Sequence, residues 1–306
     1  MAIKKKKVEF VKIDTEWVDK TVSTLTFDQI IQNTEFINTE FYLKGKNYEL
    51  KILNNTNDYI IGLIETTNKN NIPPKKNRKL KTVSKLGLTN DEGLAYANIF
   101  LFDKHTQVLI YEVNKMGCYI DNFISFIYLV WKNVNKNIQF KLRPNTVLNK
   151  DEYNRILKMS FHKSLEMQLA NPTKLLEDDK HMNESLLHIC KSGKDMNSSK
   201  VFAKFEVEAK RNQQKPLSSK KISSVLKGLQ KIMIGKNGEN VKKVIVKGYT
   251  EDSNELTSID LIADRMLRFI KLDEPKESND LLEKQRKEEI LRVYQECTNE
   301  LNDIFS

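Results

Sequence analysis

The segment from Leu94 to Val134 constrains the fold most strongly, because it shows strand spacing and helix spacing in neighbouring stretches. "LAYANIFLF" and "QVLIYEV" are apolar runs of strand length, and they flank the short polar turn "DKHT". "IDNFISFIYLVWKNV" follows with apolar residues at 120, 123, 124, 127, 128 and 131, which is the spacing of a buried helix. The sequence therefore predicts a hairpin and then a helix.

The flanking sequence predicts an α+β fold. Upstream, "EFYLKGKNYELKILN" and "DYIIGLIETT" alternate or form short apolar runs bounded by Asn and Gly, which predicts paired strands. Downstream, strand patterns and helix patterns follow each other in the stretches "SLEMQLA", "HMNESLLHIC", "VFAKFEVEAK" and "SSKKISSVLKGLQKIM". "KKVIVKGYT" and "SIDLIADRMLRFIKL" predict further strands. We expect two α/β-type domains with mainly antiparallel or mixed sheets.

A polar, turn-rich stretch divides the predicted domains. It contains Pro144 and predicts a boundary near residue 145, between an N-terminal α+β domain (1–145) and a C-terminal basic α+β domain (146–306). The chain closes on an amphipathic helix from about Asp280 to Phe305. Its narrow apolar stripe either packs on the domain or pairs with a second copy, and we expect a homodimer; the stripe comprises Ile290, Tyr294, Cys297, Leu301 and Ile304.

The positive charge of the chain is concentrated in one segment. The net charge is +10, which favours an anionic partner and nucleic acid before membrane. Between Lys210 and Lys247 the sequence has eleven basic residues and one acidic residue, Glu239, so this segment carries the whole excess. Compositional drift would scatter the lysines, so the clustered block favours an anion-binding face, and a plain solvated surface is the alternative.

A helical wheel refines this prediction. Ile222, Val225, Leu226 and Leu229 share one face, and Lys220, Lys227 and Lys231 line the opposite face beside Ser223 and Ser224. Such a face suits phosphate contacts that do not read base sequence. The candidate DNA-binding residues of the block are Lys210, Arg211, Lys215, Lys220, Lys221, Lys227, Lys231 and Lys236. The loop "PPKKNRKLKTVSK" adds an accessory contact through Lys75, Lys76, Arg78 and Lys79.

Two short motifs leave alternatives open. "GKNG" (235–238) matches the GxxG loop with which KH domains clamp a nucleic-acid backbone, but a strand pattern follows where a KH domain needs a helix. A helix end at Gly235, followed by a turn at Asn237 and Gly238 into the strand, is the simpler interpretation. Glu206, Glu208 and Lys210 share a strand face, as in metal-dependent PD-(D/E)xK nucleases, with Asp195 as the nearby third carboxylate.

Other site types lack support in the sequence. Cys118, Cys190 and Cys297 are far apart, and the histidines show no metal-ligand spacing, so we expect no disulfide framework, metal or cofactor. No Walker loop, GxGxxG or GxSxG motif occurs, and no enzyme class is indicated. "MAIKKKKVEFVKID" lacks the apolar region of a signal peptide, and "CYIDNFISFIYLVW" is too short to cross a bilayer as a helix. We expect a cytoplasmic protein.

Three longer stretches resemble the RexA-like phage-exclusion proteins of lambdoid prophages. "TNDEGLAYANIFLFDKHTQVLIYEV" and "DNFISFIYLV" are similar in having an acidic pair before a hairpin and a helix, and "KVIVKGYTEDSNELTSIDL" is similar further along. The resemblance implies a dimeric, sequence-independent binder of double-stranded DNA in a bacterial or prophage antiphage system, acting with a membrane or effector protein. It brings no catalytic residue. An interaction module whose basic face docks an acidic protein or a lipid surface remains an alternative.

Overall fold

The computed structural model describes residues 4–18, 25–33, 39–70, 72–89, 92–134, 140–177, 182–208, 215–235, 237–250, 255–273 and 281–305. The strands are β1 (Lys4–Trp17), β2 (Phe41–Leu43), β3 (Lys46–Asn55), β4 (Tyr59–Asn68), β5 (Lys75–Lys76), β6 (Val83–Ser84), β7 (Leu94–Asp103), β8 (Val108–Glu112), β9 (Phe140–Thr146), β10 (Phe161–Ala170), β11 (Lys200–Glu206), β12 (Val241–Tyr249), β13 (Thr257–Asp260) and β14 (Leu267–Leu272). The helices are α1 (Phe27–Ile31), α2 (Ile120–Val134), α3 (Lys150–Leu157), α4 (Pro172–Leu176), α5 (Glu184–Asp195), α6 (Ser219–Ile234) and α7 (Glu283–Phe305). The predicted α+β class with mainly antiparallel sheets and a C-terminal helix is confirmed.

The chain folds into two compact units that interleave in sequence. Unit 1 comprises Met1–Glu9, Thr15–Leu142 and Arg268–Leu301, and unit 2 comprises Phe10–Asp14, Arg143–Leu267 and Asn302–Ser306. The chain passes from unit 1 to unit 2 after Leu142 and returns to unit 1 at Arg268. Most of the C-terminal helix α7 belongs to unit 1.

Unit 1 is built on a sheet with the strand order β14-β1-β8-β7-β4-β3-β2, and β9 also pairs with β1. The ladders between β2 and β8 are antiparallel. Successive residues of β4 from Ile60 to Ile64 are all buried. Neighbouring side chains of a strand point to opposite faces of the sheet, so both faces are buried at this strand. The sheet is therefore covered on both sides.

Helices α2 and α7 provide this cover. Phe123 of α2 packs its ring 5.2 Å from that of Phe100 and 5.4 Å from that of Tyr111, which are cross-strand partners on one face of the sheet. Tyr294 of α7 packs 5.5 Å from the ring of Tyr59, whose cross-strand partner Asp103 points to the other face.

The apolar stripe of α7 packs within unit 1. Ile290, Tyr294, Cys297 and Leu301 are all buried, so the stripe is part of the packed interior. A homodimer, which stays a prediction, therefore needs another surface.

A buried ion pair joins α7 to the sheet of unit 1. Arg286 Nη2 lies 3.2 Å from Glu112 Oε1, and Arg286 Nε donates to Glu112 Oε2 at 3.3 Å. The amide of Ile99 donates to the same Oε2 at 3.2 Å. Glu112 is fully buried, and this burial raises its pKa although the Arg286 charge and the Ile99 amide both act to lower it.

Unit 2 is built on an antiparallel sheet with the strand order β11-β10-β12-β13. One face of this sheet carries the core, where Leu165, Met167, Val244 and Val246 pack with apolar residues of α3, α5 and α6. On the other face, Phe202 of β11 has 61% of its surface exposed. Helix α6 is thus held on one side of a layer of strands.

Within the described ranges, no helix combines the length and the apolar character needed to cross a membrane.

We expect that replacing Arg286 by alanine lowers the free energy of unfolding of unit 1 by about 3–5 kcal/mol, because the Glu112 carboxylate then stays buried without its counter-ion. Urea unfolding followed by tryptophan fluorescence measures the change, since both tryptophans of the chain, Trp17 and Trp131, lie in unit 1. The loss should shrink at acidic pH. The folded-state pKa of Glu112 is raised, so lowering the pH neutralises the buried carboxyl group.

Arg292→Ala is the matched control on the same helix. Arg292 pairs with Glu289 and Glu296 at the surface, and its removal should cost about 1 kcal/mol or less. Equal losses in the two variants would contradict the importance of the buried pair.

Candidate nucleic-acid interface

Helix α6 begins and ends at recognisable signals. The Ser218 side chain caps its first turn by accepting a hydrogen bond from the amide of Lys221. The helix ends at Gly235, whose backbone is extended. Between these ends it buries one face in the core of unit 2, formed by Ile222, Val225, Leu226, Leu229, Ile232 and Met233.

The opposite face of α6 carries a row of exposed lysines. Lys220, Lys227 and Lys231 are all exposed, and Ser224 is exposed beside them. We call these three lysines the lysine row. The exposures agree with the predicted helical wheel, because the apolar residues of the helix are the buried ones. The role of the lysine row in DNA binding stays a prediction.

The lysine row carries charge that no carboxylate of the described residues balances. Helix α6 contains no acidic residue, and among the described residues none of the three lysines has a carboxylate within ion-pair distance. Lys221, on the flank, lies 4.0 Å from Glu184. Lys220 and Lys221 occupy the first turn, where the helix dipole disfavours cations, and Lys227 and Lys231 repel each other at i,i+4 spacing. These unfavourable interactions lower the stability of the helix, and an anion bound at the row would offset them.

The basic block of the sequence does not form one surface. Lys243 and Lys247 of β12 alternate with the core residues Val244 and Val246, so they point away from α6. Lys243 binds Glu166 at 2.6 Å. Lys215, before α6, is exposed, whereas the predicted residues Lys210, Arg211 and Lys236 lie outside the described residues.

The residues of the predicted accessory contact lie on a small hairpin of unit 1. Lys75 and Lys76 form β5, which pairs with β6, and Arg78 and Lys79 lie in the connecting turn. All four residues are exposed.

A buried histidine supports the start of α6. His162 of β10 is 1% exposed, and its Nε2 lies 3.0 Å from the carbonyl oxygen of Ile156. Because a carbonyl only accepts, Nε2 carries the proton, and Nδ1 accepts from the Ser219 hydroxyl at 3.1 Å. Burial lowers the pKa of His162, against the opposing effect of its hydrogen bond to Ile156. The sequence showed no sign of this role, because Ser219 is 57 positions away.

The "GKNG" segment is packed as a helix end and a turn. Asn237 and Gly238 are buried, and Gly238 begins a short 3₁₀ turn that leads directly into β12. A Cβ at Gly238 would lie 2.1 Å from the carbonyl oxygen of Met233. The carbonyl of Gly235 accepts a hydrogen bond from Asn145. This geometry agrees with a helix end followed by a turn, and it differs from the open loop with which a KH domain clamps a nucleic-acid backbone.

The nuclease motif lies at an exposed strand end. Glu206 is the last residue of β11 and pairs with Lys204 of the same strand. Glu208 follows the strand and is exposed, Asp195 ends α5, and Lys210 lies outside the described residues. Within the described part of the chain, no three His, Cys, Asp or Glu side chains come together as metal ligands.

Comparison with known proteins places the chain in a family. The family model DUF6731, described as a family of unknown function, matches residues 3–302. The chain therefore belongs to this family. A search of curated proteins finds no match.

We expect acid to loosen the start of α6 through His162. The folded-state pKa of His162 is lowered, so the stability that the neutral ring contributes is present above its ordinary pKa and is lost as the pH falls through the folded value. Hydrogen exchange by mass spectrometry should show several-fold lower protection of α6 at acidic than at neutral pH, after correction for intrinsic exchange.

His162→Gln is the control variant, since the glutamine amide can donate to Ile156 and accept from Ser219 without titrating. Its α6 protection should not depend on pH. The same acid loss in this variant would show that another group is responsible.

Proposed function

We propose that this member of the DUF6731 family binds double-stranded DNA without sequence preference, with the lysine row of α6 as its main contact. The single observation that carries the proposal is the alignment of three exposed lysines, without carboxylate partners in the described part of the chain, on the face opposite the buried side of the helix. Lys215 and Lys221 flank the row, and Lys210, Arg211 and Lys236 are further candidates on sequence grounds.

The length of the row suits a phosphate backbone. From Lys220 to Lys231 the helix advances about 16 Å, at 1.5 Å per residue. A DNA strand carries one charge per roughly 3.4 Å of the duplex axis, so the row reaches several phosphates.

The chemistry of the row favours contacts that ignore sequence. Base recognition in the major groove relies on two hydrogen bonds to one base edge, which the planar side chains of Arg, Asn and Gln present in a fixed geometry. The row instead presents lysine ammonium groups, which act as point charges, and the exposed Ser224 beside it adds a small hydroxyl that suits phosphate oxygens. The proposal includes no catalytic step, metal or cofactor.

A salt series tests the proposal. Binding to a random-sequence duplex should weaken steeply with salt, and in the Lys220/Lys227/Lys231→Ala variant the slope of log K against log salt should fall by roughly 2.7, at 0.9 per phosphate contact. Alanine favours helix, so the substitutions should leave α6 folded. Fluorescence anisotropy with the duplex, its single strand and a matched RNA gives the affinities.

The matched control removes three exposed lysines elsewhere, Lys115, Lys132 and Lys191, each replaced by alanine. It changes the net charge equally, so its slope should stay near that of the wild type. Equal effects of the two triple variants would show that the total charge of the protein, and not the lysine row, determines the salt dependence of binding. Absence of nucleic-acid binding at low salt would overturn the proposal and favour docking to an acidic protein.

The wider role that we propose is phage exclusion, which rests on the resemblance to RexA-like proteins. In this role the protein acts in the cytoplasm as a homodimer and signals to a membrane or effector protein. Phages should plate less efficiently on cells that express the wild type than on cells that express the Lys220/Lys227/Lys231→Ala variant at equal level. Equal plating on the two strains would contradict a DNA-dependent role in exclusion.

A further inference from the structure

A basic hairpin in unit 1 carries apolar side chains into solvent. We call residues 72–89 the basic arm. They contain no acidic residue, and their cations are Lys75, Lys76, Arg78, Lys79, Lys81 and Lys85. Every residue from Pro73 to Lys85 is exposed. The arm therefore has no core of its own and stands out from the folded unit.

The tip of the arm has a defined backbone. Lys76 pairs with Val83, and the amide of Asn77 donates to the carbonyl of Thr82 at 2.9 Å. The Asn77 side chain accepts from the amides of Lys79 and Leu80, at 3.0 and 3.1 Å, which turns the chain at the tip. These hydrogen bonds place Leu80 at the tip of the basic arm.

Leu80 is 71% exposed, with Lys79 before it and Lys81 after it in sequence. Val83, on the returning strand, is 62% exposed. An apolar side chain at the tip of a cationic ribbon is the arrangement that proteins use to wedge between base pairs from the minor groove, while cations hold the flanking phosphates.

We propose that the basic arm enters the minor groove of double-stranded DNA and inserts Leu80 between neighbouring base pairs, so that the duplex bends. Arg78 at the tip then lies in the groove, whose negative potential attracts arginine, and Lys75, Lys76 and Lys79 contact the phosphates. This inference rests on the proposed function and adds DNA deformation to it.

Charge and shape favour DNA over a lipid surface. Stable attachment to a membrane needs a broad apolar face in addition to basic residues, whereas the tip offers one leucine. A base step, in contrast, is opened by a single inserted side chain. DNA in which a central mismatch already weakens stacking should therefore bind more tightly, by roughly three- to tenfold.

The experiment measures bending and binding on one sample. A duplex of about 30 base pairs carries donor and acceptor dyes at its ends, and the full chain is titrated against it at low salt. Wild type should bring the ends together and increase energy transfer. Leu80→Ser should bind within about threefold of the wild type, because the cations remain, yet lose the increase in transfer and the preference for the mismatch.

Two further variants separate the possible failures. Met196→Ser removes an exposed apolar side chain from unit 2 and should bend DNA like the wild type. The Lys220/Lys227/Lys231→Ala variant should bind weakly but still bend DNA at saturation, because its arm is intact. Because Leu80 contributes no core contact, Leu80→Ser should unfold in urea as the wild type does.

Each outcome decides the inference. Bending by Leu80→Ser equal to that of the wild type, or binding by the wild type without bending, overturns the wedge and leaves the proposed function standing. Absence of wild-type binding to any duplex overturns both. Binding to vesicles of anionic phospholipid that Leu80→Ser abolishes, without DNA bending by the wild type, shows a membrane contact instead.

Discussion

The packing of α6 on the sheet of unit 2 is the contact on which the candidate interface depends. Ile222, Val225, Leu226 and Leu229 fill the core, and each contributes roughly 1.5–3 kcal/mol by leaving water. Rotating the helix about its axis would expose these side chains and bury lysine ammonium groups, at a cost of several kcal/mol. The hydrophobic contact therefore determines which face of α6 is exposed, and the lysines lie on that face.

The same reasoning separates lysines that are neighbours in sequence. The block between Lys210 and Lys247 looks uniform as a string, but a strand within it turns Lys243 and Lys247 to the sheet face opposite α6. There Lys243 meets Glu166 and lies 5.8 Å from the ring of Phe202. A charge count along the chain cannot detect this division, because it depends on which side chains the sheet buries.

The two basic features differ in how they are held. The lysine row lies on a helix that packs on a core, so the backbone positions of the three lysines are fixed and only their side chains can move. The basic arm is a short ribbon in which Asn77 organises the tip and the remaining side chains face solvent. A rigid row suits the phosphate contacts that we propose, and a hairpin without a core suits the proposed insertion into a groove, so the two proposals concern separate properties, binding and deformation.

Local sequence patterns placed several strands and helices and the amphipathic face of α6, whereas β1, β9, α1, α3 and α4 were not among the predicted elements. The predicted elements and this face follow from periodicity over a few residues, and the strand runs around "DKHT", the helix at 120–134 and the helix at 219–234 all lie where the pattern predicted them. Tertiary structure decided that α7 packs on its own unit, that Glu112 meets Arg286 174 positions away, and that His162 supports α6 through Ser219. These pairings join residues with no local relation. They exist because burial takes these polar groups away from water, so each must find a hydrogen-bonding or ionic partner within the fold, and the spacing of residues along the chain does not record that requirement.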